Sequence, residues 1–199
     1  MDQLQVGLIG GGGMAKSLAR GLAEVKDARI VAVADPAEGV AQAAAEELGG
    51  EIEAFTDVKE LLAREEIGAA IVAVPNYLHA EMTVRAAEAG KHVFCEKPMA
   101  LTVADARSMI DACETAGVKL MIGQVLRYGS PAAWMLDRIR SGELGEPFGM
   151  QVTRIGGGWG GRFGQSWRFK RETCGGPLYE INAHEIDLMR QVLGHAVSV

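Results

Sequence analysis

The chain has 199 residues, of which 48% are hydrophobic and 23% charged, and this balance is typical of a globular protein and excludes disordered and fibrous architectures. The length predicts one large domain or a domain and a half. The formal net charge of −6 repels polyphosphate and argues against a nucleic-acid-binding protein, whose affinity depends on Lys and Arg contacts.

Five short apolar runs predict β-strands over residues 5–9, 29–34, 69–74, 92–95 and 119–122. Continuous apolar runs of this length are typical of strands buried on both faces of a parallel sheet. Helix patterns lie between the runs. Thr102 and Asp105, for example, have the spacing of a capping box, and Gly117 marks the end of the helix that they begin. The alternation predicts a doubly wound α/β sheet over residues 1–123.

The pattern changes at Gln124, and we predict two domains, residues 1–123 and 124–199. Ser130 as N-cap and the following proline predict the start of a helix that stops at Gly142. Further predicted elements are a strand over 148–155, a Gly-rich loop over 156–176, a last helix over about 178–193, and the opening of a strand at 196–199.

No feature predicts a membrane protein or a secreted one. No apolar run approaches the ~20 residues of a membrane span, and the first residues lack the basic segment of a signal peptide. Cys95, Cys113 and Cys174 are odd in number and far apart, which excludes a disulfide framework and a Cys-x-x-Cys metal pair. We therefore expect a cytoplasmic enzyme or binding domain without a metal site.

A glycine-rich segment follows the first predicted strand and opens a helix. It reads Gly-Gly-Gly-Gly-Met-Ala from Gly10 and matches the dinucleotide-binding motif G-x-G-x-x-A. Gly10 permits the tight turn, Gly12 lets the backbone approach a pyrophosphate, and Ala15 lets the helix pack on the strand. The helix N-terminus attracts the anion, so Gly13 and Met14 are also predicted to bind the cofactor. A simple turn is the alternative.

Asp35 strengthens the dinucleotide interpretation. It lies twenty positions beyond Ala15, at the end of the second predicted strand, where a carboxylate can accept hydrogen bonds from both hydroxyls of an adenosine ribose. No cation follows directly that could bind a 2′-phosphate, so NAD is favoured over NADP. The alternative is an ordinary helix N-cap before Pro36, which is compatible with the first role.

A competing motif overlaps the glycines. The segment from Gly10 to Ser17 is a near match to the P-loop G-x-x-x-x-G-K-[ST], in which Lys16 would bind phosphates and Ser17 magnesium. Ala15 replaces the final glycine of that pattern, and the rest of the chain offers no clear partner for a nucleotide hydrolase. The P-loop interpretation is therefore disfavoured.

Two polar motifs follow the third and fourth predicted strands. Pro75, Asn76 and His79 belong to the first, and Glu96 and Lys97 with the next proline form the second. The carboxyl ends of parallel strands are where α/β sheets bind ligands. A lysine at such a position is well placed for proton transfer, although a surface Glu-Lys pair before a turn explains the sequence equally well.

The predicted last helix carries a polar stripe. At about 100° per residue, Glu180, His184 and Asp187 fall on one face. An imidazole between two carboxylates has a fixed tautomer and suits a general base. A solvated face and a metal site are the alternatives, but Leu188 stands where a zinc-protease helix has its second histidine. Glu185 falls among the apolar positions, and no role follows for it.

In their order along the chain, these motifs resemble the markers of the Gfo/Idh/MocA oxidoreductases, the family of glucose-fructose oxidoreductase and inositol dehydrogenase. The Glu-Lys-Pro motif is highly specific at its distance from the glycine loop, and the markers cover essentially the whole chain. They are the segments 6–12, 75–79, 89–93, 96–98, 126–128, 175–176 and 184–187.

The resemblance implies a Rossmann domain followed by the start of an α+β domain with an open, largely antiparallel sheet. Family members are much longer, so the chain looks truncated, and we expect the full-length protein to be a homo-oligomer. The family usually has Asp at the position of Glu180, whose side chain is one methylene longer.

The resemblance also implies a reaction, in which a hydride passes between NAD and a CH–OH group of a sugar, sugar derivative or cyclitol. Lys97 would be the proton-relay lysine and His184 the acid/base histidine, with Glu180 and Asp187 beside it. Two other functions stay open, namely an NAD-binding subunit or sensor without catalysis and an NAD-dependent glycoside hydrolase.

The resemblance further implies which residues line the cofactor. These are Pro75, Asn76, His79, Glu96 and Lys97. Trp167-Arg168 resembles a family element that reaches toward the nicotinamide; anchoring of its own loop is the alternative.

Overall fold

The structure, a computed structural model, describes residues 3–155 and 166–198. The chain forms two compact units, Met1–Gly123 and Gln124–Val199. None of the helices in the described ranges is long and apolar enough to cross a membrane.

The first unit is built on a six-stranded parallel sheet in the order β3-β2-β1-β4-β5-β6. This is the strand order of a dinucleotide-binding Rossmann fold. The five predicted strands are present, with ends that shift by up to two residues, and the three-residue edge strand β3 was not predicted. The strands are β1 (Leu4–Ile9), β2 (Ala28–Ala34), β3 (Glu53–Phe55), β4 (Ile67–Val72), β5 (His92–Cys95) and β6 (Leu120–Ile122).

Helices connect these strands, and local side-chain chemistry fixes several of their ends. Thr102 Oγ1 accepts a hydrogen bond from the Asp105 amide at 3.0 Å, which confirms the predicted cap. Gly117 follows the same helix with φ +67°, a conformation that glycine adopts without strain. The helices are α1 (Gly13–Ala23), α2 (Val40–Leu48), α3 (Val58–Leu62), α4 (His79–Glu88) and α5 (Val103–Thr115).

Two apolar clusters cover the two faces of the sheet. On one face Leu8 and Val33 pack with Ala15 of α1 and other small residues of α1 and α2. On the other face Ile9 packs with residues of α3, α4 and α5, including Leu61. Neighbouring strand residues point to opposite faces, and both faces are covered, which explains why the strands are continuous apolar runs.

Two of the three cysteines lie within the core of the first unit. Cys95 is fully buried at the end of β5, and burial raises the pKa of its thiol to about 12. Cys113 on α5 is also buried, and burial raises the pKa of its thiol as well.

We predict that Cys95 and Cys113 resist alkylation in the folded protein at neutral pH. The thiolate is the reactive form, and a raised pKa keeps the Cys95 thiol protonated until the pH climbs toward about 12. Mass spectrometry of peptides after iodoacetamide treatment measures the labelling, with denatured protein as the positive control. Rapid labelling of folded Cys95 would contradict its burial.

The second unit is helical in its described part. Its helices are α6 (Ser130–Arg140), α7 (Arg171–Cys174), α8 (Pro177–Glu180) and α9 (Ala183–Leu193), with 3₁₀ turns at Val125–Tyr128 and Trp167–Phe169. The predicted loop over 156–176 therefore contains a turn and a short helix, while residues 156–165 lie outside the described residues. The start of α6 differs from the prediction by one residue, because Gly129 and not Ser130 is its N-cap.

The strands predicted over 148–155 and from 196 onward were wrong for the described residues, which are irregular there. Phe148 and Ile155 are almost fully exposed. An isolated extended segment cannot form the hydrogen-bonded ladder of a sheet. Among the described residues of the second unit, neither segment has a strand to pair with. The apolar residues of these two segments alone therefore do not produce a strand.

The prediction of one last helix over about 178–193 was also wrong, because a turn separates α8 from α9. The amides of Ile181 and Asn182 both donate to Pro177 O, at 2.9 and 3.0 Å, and Asn182 is the N-cap of α9. Glu180 therefore ends one helix, and His184 and Asp187 lie in the first turns of the next. The common helical face that the sequence predicted for the three residues does not exist.

Candidate functional site

Strand register brings the predicted cofactor-binding segments of the first unit to one edge of the sheet. Ile9 of β1 pairs with Ala34 of β2 and with Val72 of β4, and Val72 pairs with Cys95 of β5. The residues that follow these four are the glycine loop, Asp35, the Pro75 segment and Glu96-Lys97. All of them therefore leave the sheet at its carboxyl edge, where α/β proteins bind ligands.

The glycines of the loop divide into two kinds. Gly10 has φ +101°, and a Cβ there would lie 2.6 Å from Ala73 O, so the fold itself requires this glycine. A Cβ on Gly12 or Gly13 would meet no atom within 4 Å. The fold does not need these two glycines, and the space beside them at the start of α1 fits a group that approaches the backbone closely, such as a pyrophosphate.

The other residues of the motif agree with this geometry. Ala15 is fully buried and belongs to the apolar cluster that packs α1 on the sheet. Met14 is 47% exposed in the first turn of α1. The residues of this loop therefore fit a dinucleotide.

Each carboxylate oxygen of Asp35 accepts a hydrogen bond from a backbone amide. Oδ2 accepts from the Gly11 amide and Oδ1 from the Ala37 amide, each at 2.9 Å. Asp35 is not the N-cap of α2, a position that Gly39 occupies. The carboxylate thus ties the glycine loop to the end of β2, and each oxygen keeps a lone pair that could accept from a ribose hydroxyl.

The competing P-loop motif does not have the expected arrangement. Lys16 forms an ion pair with Glu47 of α2, and Arg20 pairs with the same carboxylate. The hydrogen bond from Lys16 lowers the pKa of Glu47. Lys16 therefore links α1 to α2 and is not directed to a phosphate by the described geometry.

His79 connects the loops that follow β4 and β5. Its ring Nδ1 lies 2.6 Å from Pro98 O, and Nε2 lies 3.0 Å from Val74 O. Only 1% of its surface is exposed. His79 therefore lies between the carbonyl groups of the two loops, and its contact with a cofactor stays a prediction.

The neighbouring residues of these loops are also partly or fully buried. Asn76 and Glu96 are buried, whereas Pro75 and Lys97 are half-buried. Glu96 Oε2 accepts from the Lys97 amide at 3.1 Å and fixes the backbone beside that lysine. A solvated Glu-Lys surface pair is not what the structure shows for Glu96.

In the second unit, Asp187 belongs to an ion pair that the sequence did not predict. The Arg127 guanidinium binds both carboxylate oxygens, with Nε 2.5 Å from Oδ2. This bond raises the pKa of Arg127. Paired donors of this kind fix orientation as well as distance, so Asp187 joins α9 to the turn at Val125–Tyr128.

His184 has a polar partner in the same turn region. Its Nδ1 lies 3.1 Å from Gln124 Oε1, and the ring is about nine-tenths buried. Sequence reasoning did not identify Gln124, because a lone glutamine after a strand carries no motif. A neutral amide was not among the predicted partners of the ring, which were carboxylates.

The buried glutamates of this unit also bind arginines. Arg168 Nε donates to Glu180 at 2.8 Å and lies over the ring of Trp167, 4.5 Å from its centroid. Glu185, for which the sequence offered no role, accepts from Arg154 at 2.8 Å. Arg168 and Trp167 thus anchor their own segment to α8, and their contact with a nicotinamide stays a prediction.

No group of three or more potential metal-ligating side chains occurs among residues 3–155 and 166–198.

Comparison with known proteins identifies the class. Residues 4–124 match the GFO_IDH_MocA model, an oxidoreductase family with an NAD-binding Rossmann fold, and residues 132–199 match the GFO/IDH/MocA C-terminal domain. The chain belongs to the GFO/IDH/MocA oxidoreductase family.

Three relatives illustrate its range. The chain is 38% identical over 195 residues to 2,7-anhydro-N-acetylneuraminate hydratase of Mediterraneibacter gnavus, covering 98% of this chain and 50% of the relative. It is 32% identical to inositol 2-dehydrogenase of Salmonella typhimurium, covering 96% and 54%. The crystal structure of WlbA dehydrogenase from Bordetella pertussis with NADH and UDP-GlcNAcA has a TM-score of 0.83 and 27% identity, covering 97% and 56%. The chain thus spans about half the length of these proteins.

The glycine loop allows a direct test of the cofactor site. We predict that Gly12→Ala leaves the free energy of unfolding nearly unchanged but weakens NADH binding about tenfold or more, because a methyl group would block close approach of the phosphate to backbone amides. Gly10→Ala should instead destabilise the fold by about 1–3 kcal/mol. NADH fluorescence titration and denaturant unfolding measure the two effects.

Gly21 provides the control for this test, because it lies in the same helix with open space around it. Gly21→Ala should stabilise the protein by about 0.5–1 kcal/mol without changing NADH affinity. Full NADH affinity in Gly12→Ala would contradict a phosphate site at this loop.

A second test asks whether Asp187 stabilises the fold through its ion pair with Arg127. We predict that Asp187→Asn and Arg127→Gln each lower the free energy of unfolding and that their coupling is about 1–2 kcal/mol, below the value for a fully buried pair because Arg127 is partly exposed. Denaturant unfolding of both single variants and the double variant measures it. Strict additivity would mean that the pair does not stabilise the unit.

The exposed pair Arg138–Glu143 is the matched control, for which neutral variants should show a coupling well under about 1 kcal/mol.

Proposed function

We propose that this chain carries the NAD-binding domain and acid/base residues of an oxidoreductase that acts on a CH–OH group of a sugar, sugar derivative or cyclitol. The observation that carries the proposal is the alignment of four strand ends, which brings the glycine loop, Asp35 and Lys97 to one edge of the sheet. Family membership supports the reaction class.

The first unit would hold the cofactor through its own backbone and Asp35. The amides at the start of α1, beside Gly12 and Gly13, would bind the pyrophosphate, and Asp35 would accept from the ribose hydroxyls. A carboxylate at this position repels a 2′-phosphate, so we expect NAD to bind more tightly than NADP. When bound, NAD supplies the hydride acceptor of the reaction.

The chain's own residues would handle the proton. A hydroxyl group is a weak acid, so oxidation at its carbon requires a base to remove its proton as the C–H bond breaks. We propose that Lys97 accepts or relays this proton and that His184 acts as acid/base. Glu96 fixes the Lys97 backbone, and Gln124 faces the His184 ring.

The substrate class comes from the relatives. Their names include an inositol dehydrogenase and a levoglucosan dehydrogenase, and solved relatives hold NADH with UDP-GlcNAcA or with levoglucosan. These ligands share adjacent hydroxyl groups on a ring. We therefore propose that the substrate is a polyhydroxylated ring compound.

We predict that Lys97→Ala retains NADH binding and lowers turnover about 10²-fold or more, because it removes one general acid-base group. Turnover is measured as NADH formation against a panel of sugars and inositols. Lys119→Ala, at the opposite end of the sheet, is the control and should keep full activity. Unchanged turnover in Lys97→Ala would refute the proposed role.

A double variant tests whether the two residues serve one reaction. If Lys97 and His184 act in the same proton transfer, the loss in Lys97→Ala/His184→Ala should be much smaller than the product of the single losses. Multiplying losses would indicate separate steps.

A second candidate is a reaction without net redox change. It is favoured by the 38% identical relative, which is named a hydratase, because addition of water leaves the oxidation state of the substrate unchanged. The same assay distinguishes the candidates, since product formation from an anhydro sugar without accumulation of NADH would favour the hydratase. NADH binding without any product would favour a non-catalytic subunit or sensor.

A further inference from the structure

One short turn of the second unit contacts α9 twice. Gln124 is the N-cap of the turn at Val125–Tyr128, and Arg127 belongs to that turn, with its amide donating to Gln124 O at 3.3 Å. The Gln124 side chain contacts the His184 ring, and the Arg127 guanidinium binds the Asp187 carboxylate. The two contacted residues are three positions apart, which places them on the same side of the helix.

We propose that Gln124 is a positioning residue that holds the His184 ring in the tautomer with its proton on Nδ1, with the Arg127–Asp187 pair fixing the distance between turn and helix. The inference rests on the proposed function, in which His184 is the acid/base group.

The tautomer follows from the chemistry of the two facing atoms. The distance of 3.1 Å between His184 Nδ1 and Gln124 Oε1 lies within the range of an N–H···O hydrogen bond. An amide oxygen can only accept, so Nδ1 must donate. In a neutral imidazole the lone pair then resides on Nε2, which becomes the basic nitrogen.

Gln124 is a neutral partner for the ring. The carboxylates of Glu180, Glu185 and Asp187 each bind an arginine, whereas His184 faces the amide of Gln124. This amide orients the ring without placing a further charge beside it.

The tautomer is directly measurable. We expect ¹⁵N NMR of the whole chain, at a pH where the ring is neutral, to show a protonated Nδ1 and an unprotonated Nε2 for His184. The signal is assigned by its loss in His184→Gln, which distinguishes it from the other three histidines. A wild-type spectrum with the proton on Nε2 would overturn the proposal, whatever the stability of the Gln124 variants.

Two substitutions of Gln124 test its part in the tautomer. Gln124→Met removes the acceptor at similar length, and the population should shift to the Nε2–H form. Gln124→Glu keeps an acceptor oxygen and should keep the wild-type tautomer. An unchanged tautomer in Gln124→Met would overturn the proposal.

The matched control is Gln191→Met. Gln191 lies on α9, the helix that carries His184, and its side chain accepts a hydrogen bond from Arg140 of α6. The substitution should leave the His184 signals unchanged. A shift of tautomer in this variant equal to that in Gln124→Met would assign the effect to general loosening of α9 and would overturn the positioning role.

Turnover separates this inference from the proposed function. If both hold, Gln124→Met should lower kcat by about 10- to 100-fold with a smaller change in KM, because the wrong nitrogen carries the proton, and Gln124→Glu should restore part of the loss. The expected tautomer in a protein without turnover would leave the positioning of the ring intact and count against the proposed function. Turnover together with an Nε2 proton would overturn the inference and leave the function.

Discussion

The register of the parallel sheet is the constraint on which the first unit depends. Because Ile9, Ala34, Val72 and Cys95 are aligned across four strands, every loop that follows them begins at the same edge. The alignment is maintained by apolar packing on both faces, where Leu8 and Ile9 point to opposite clusters. A slip of one residue would turn each of these side chains to the wrong face, so packing and placement of the polar loops are set together.

The second unit depends on a different kind of interaction. Arginines from other segments bind the buried carboxylates of α8 and α9. A buried carboxylate without a partner is costly, so these pairs determine where the turn at Val125–Tyr128 and the segment at Trp167–Phe169 lie against the helices of this unit. His184 sits among them with a neutral amide at Nδ1. Among the residues of this unit that the structure describes, these ion pairs fix the orientation of the polar side chains.

How much the sequence predicts differs between the two units for a physical reason. The strands and the Thr102 cap of the first unit follow from local apolar runs and short-range spacing, which the chain displays directly. The edge strand β3 was missed because its three residues include Glu53 and depend on pairing with β2. In the second unit the break at Ile181 and the partners of Glu180, His184 and Asp187 arise from contacts between segments distant in sequence, which spacing on one ideal helix does not reveal. The roles of Lys97 and His184 in a reaction remain proposals.

The two hydrogen bonds of Asp35 have a consequence for the proposed preference for NAD over NADP. The side chain whose charge would discriminate against an extra phosphate is also the one that fastens Gly11 to the end of β2. Replacing it with a small neutral residue to admit NADP would therefore release the loop at the same time, and the gain in tolerance would be offset by poorer order around the pyrophosphate. If Asp35 selects NAD as proposed, selectivity and loop rigidity depend on one carboxylate, and an exchange would need a second substitution that restores an acceptor for the Gly11 amide.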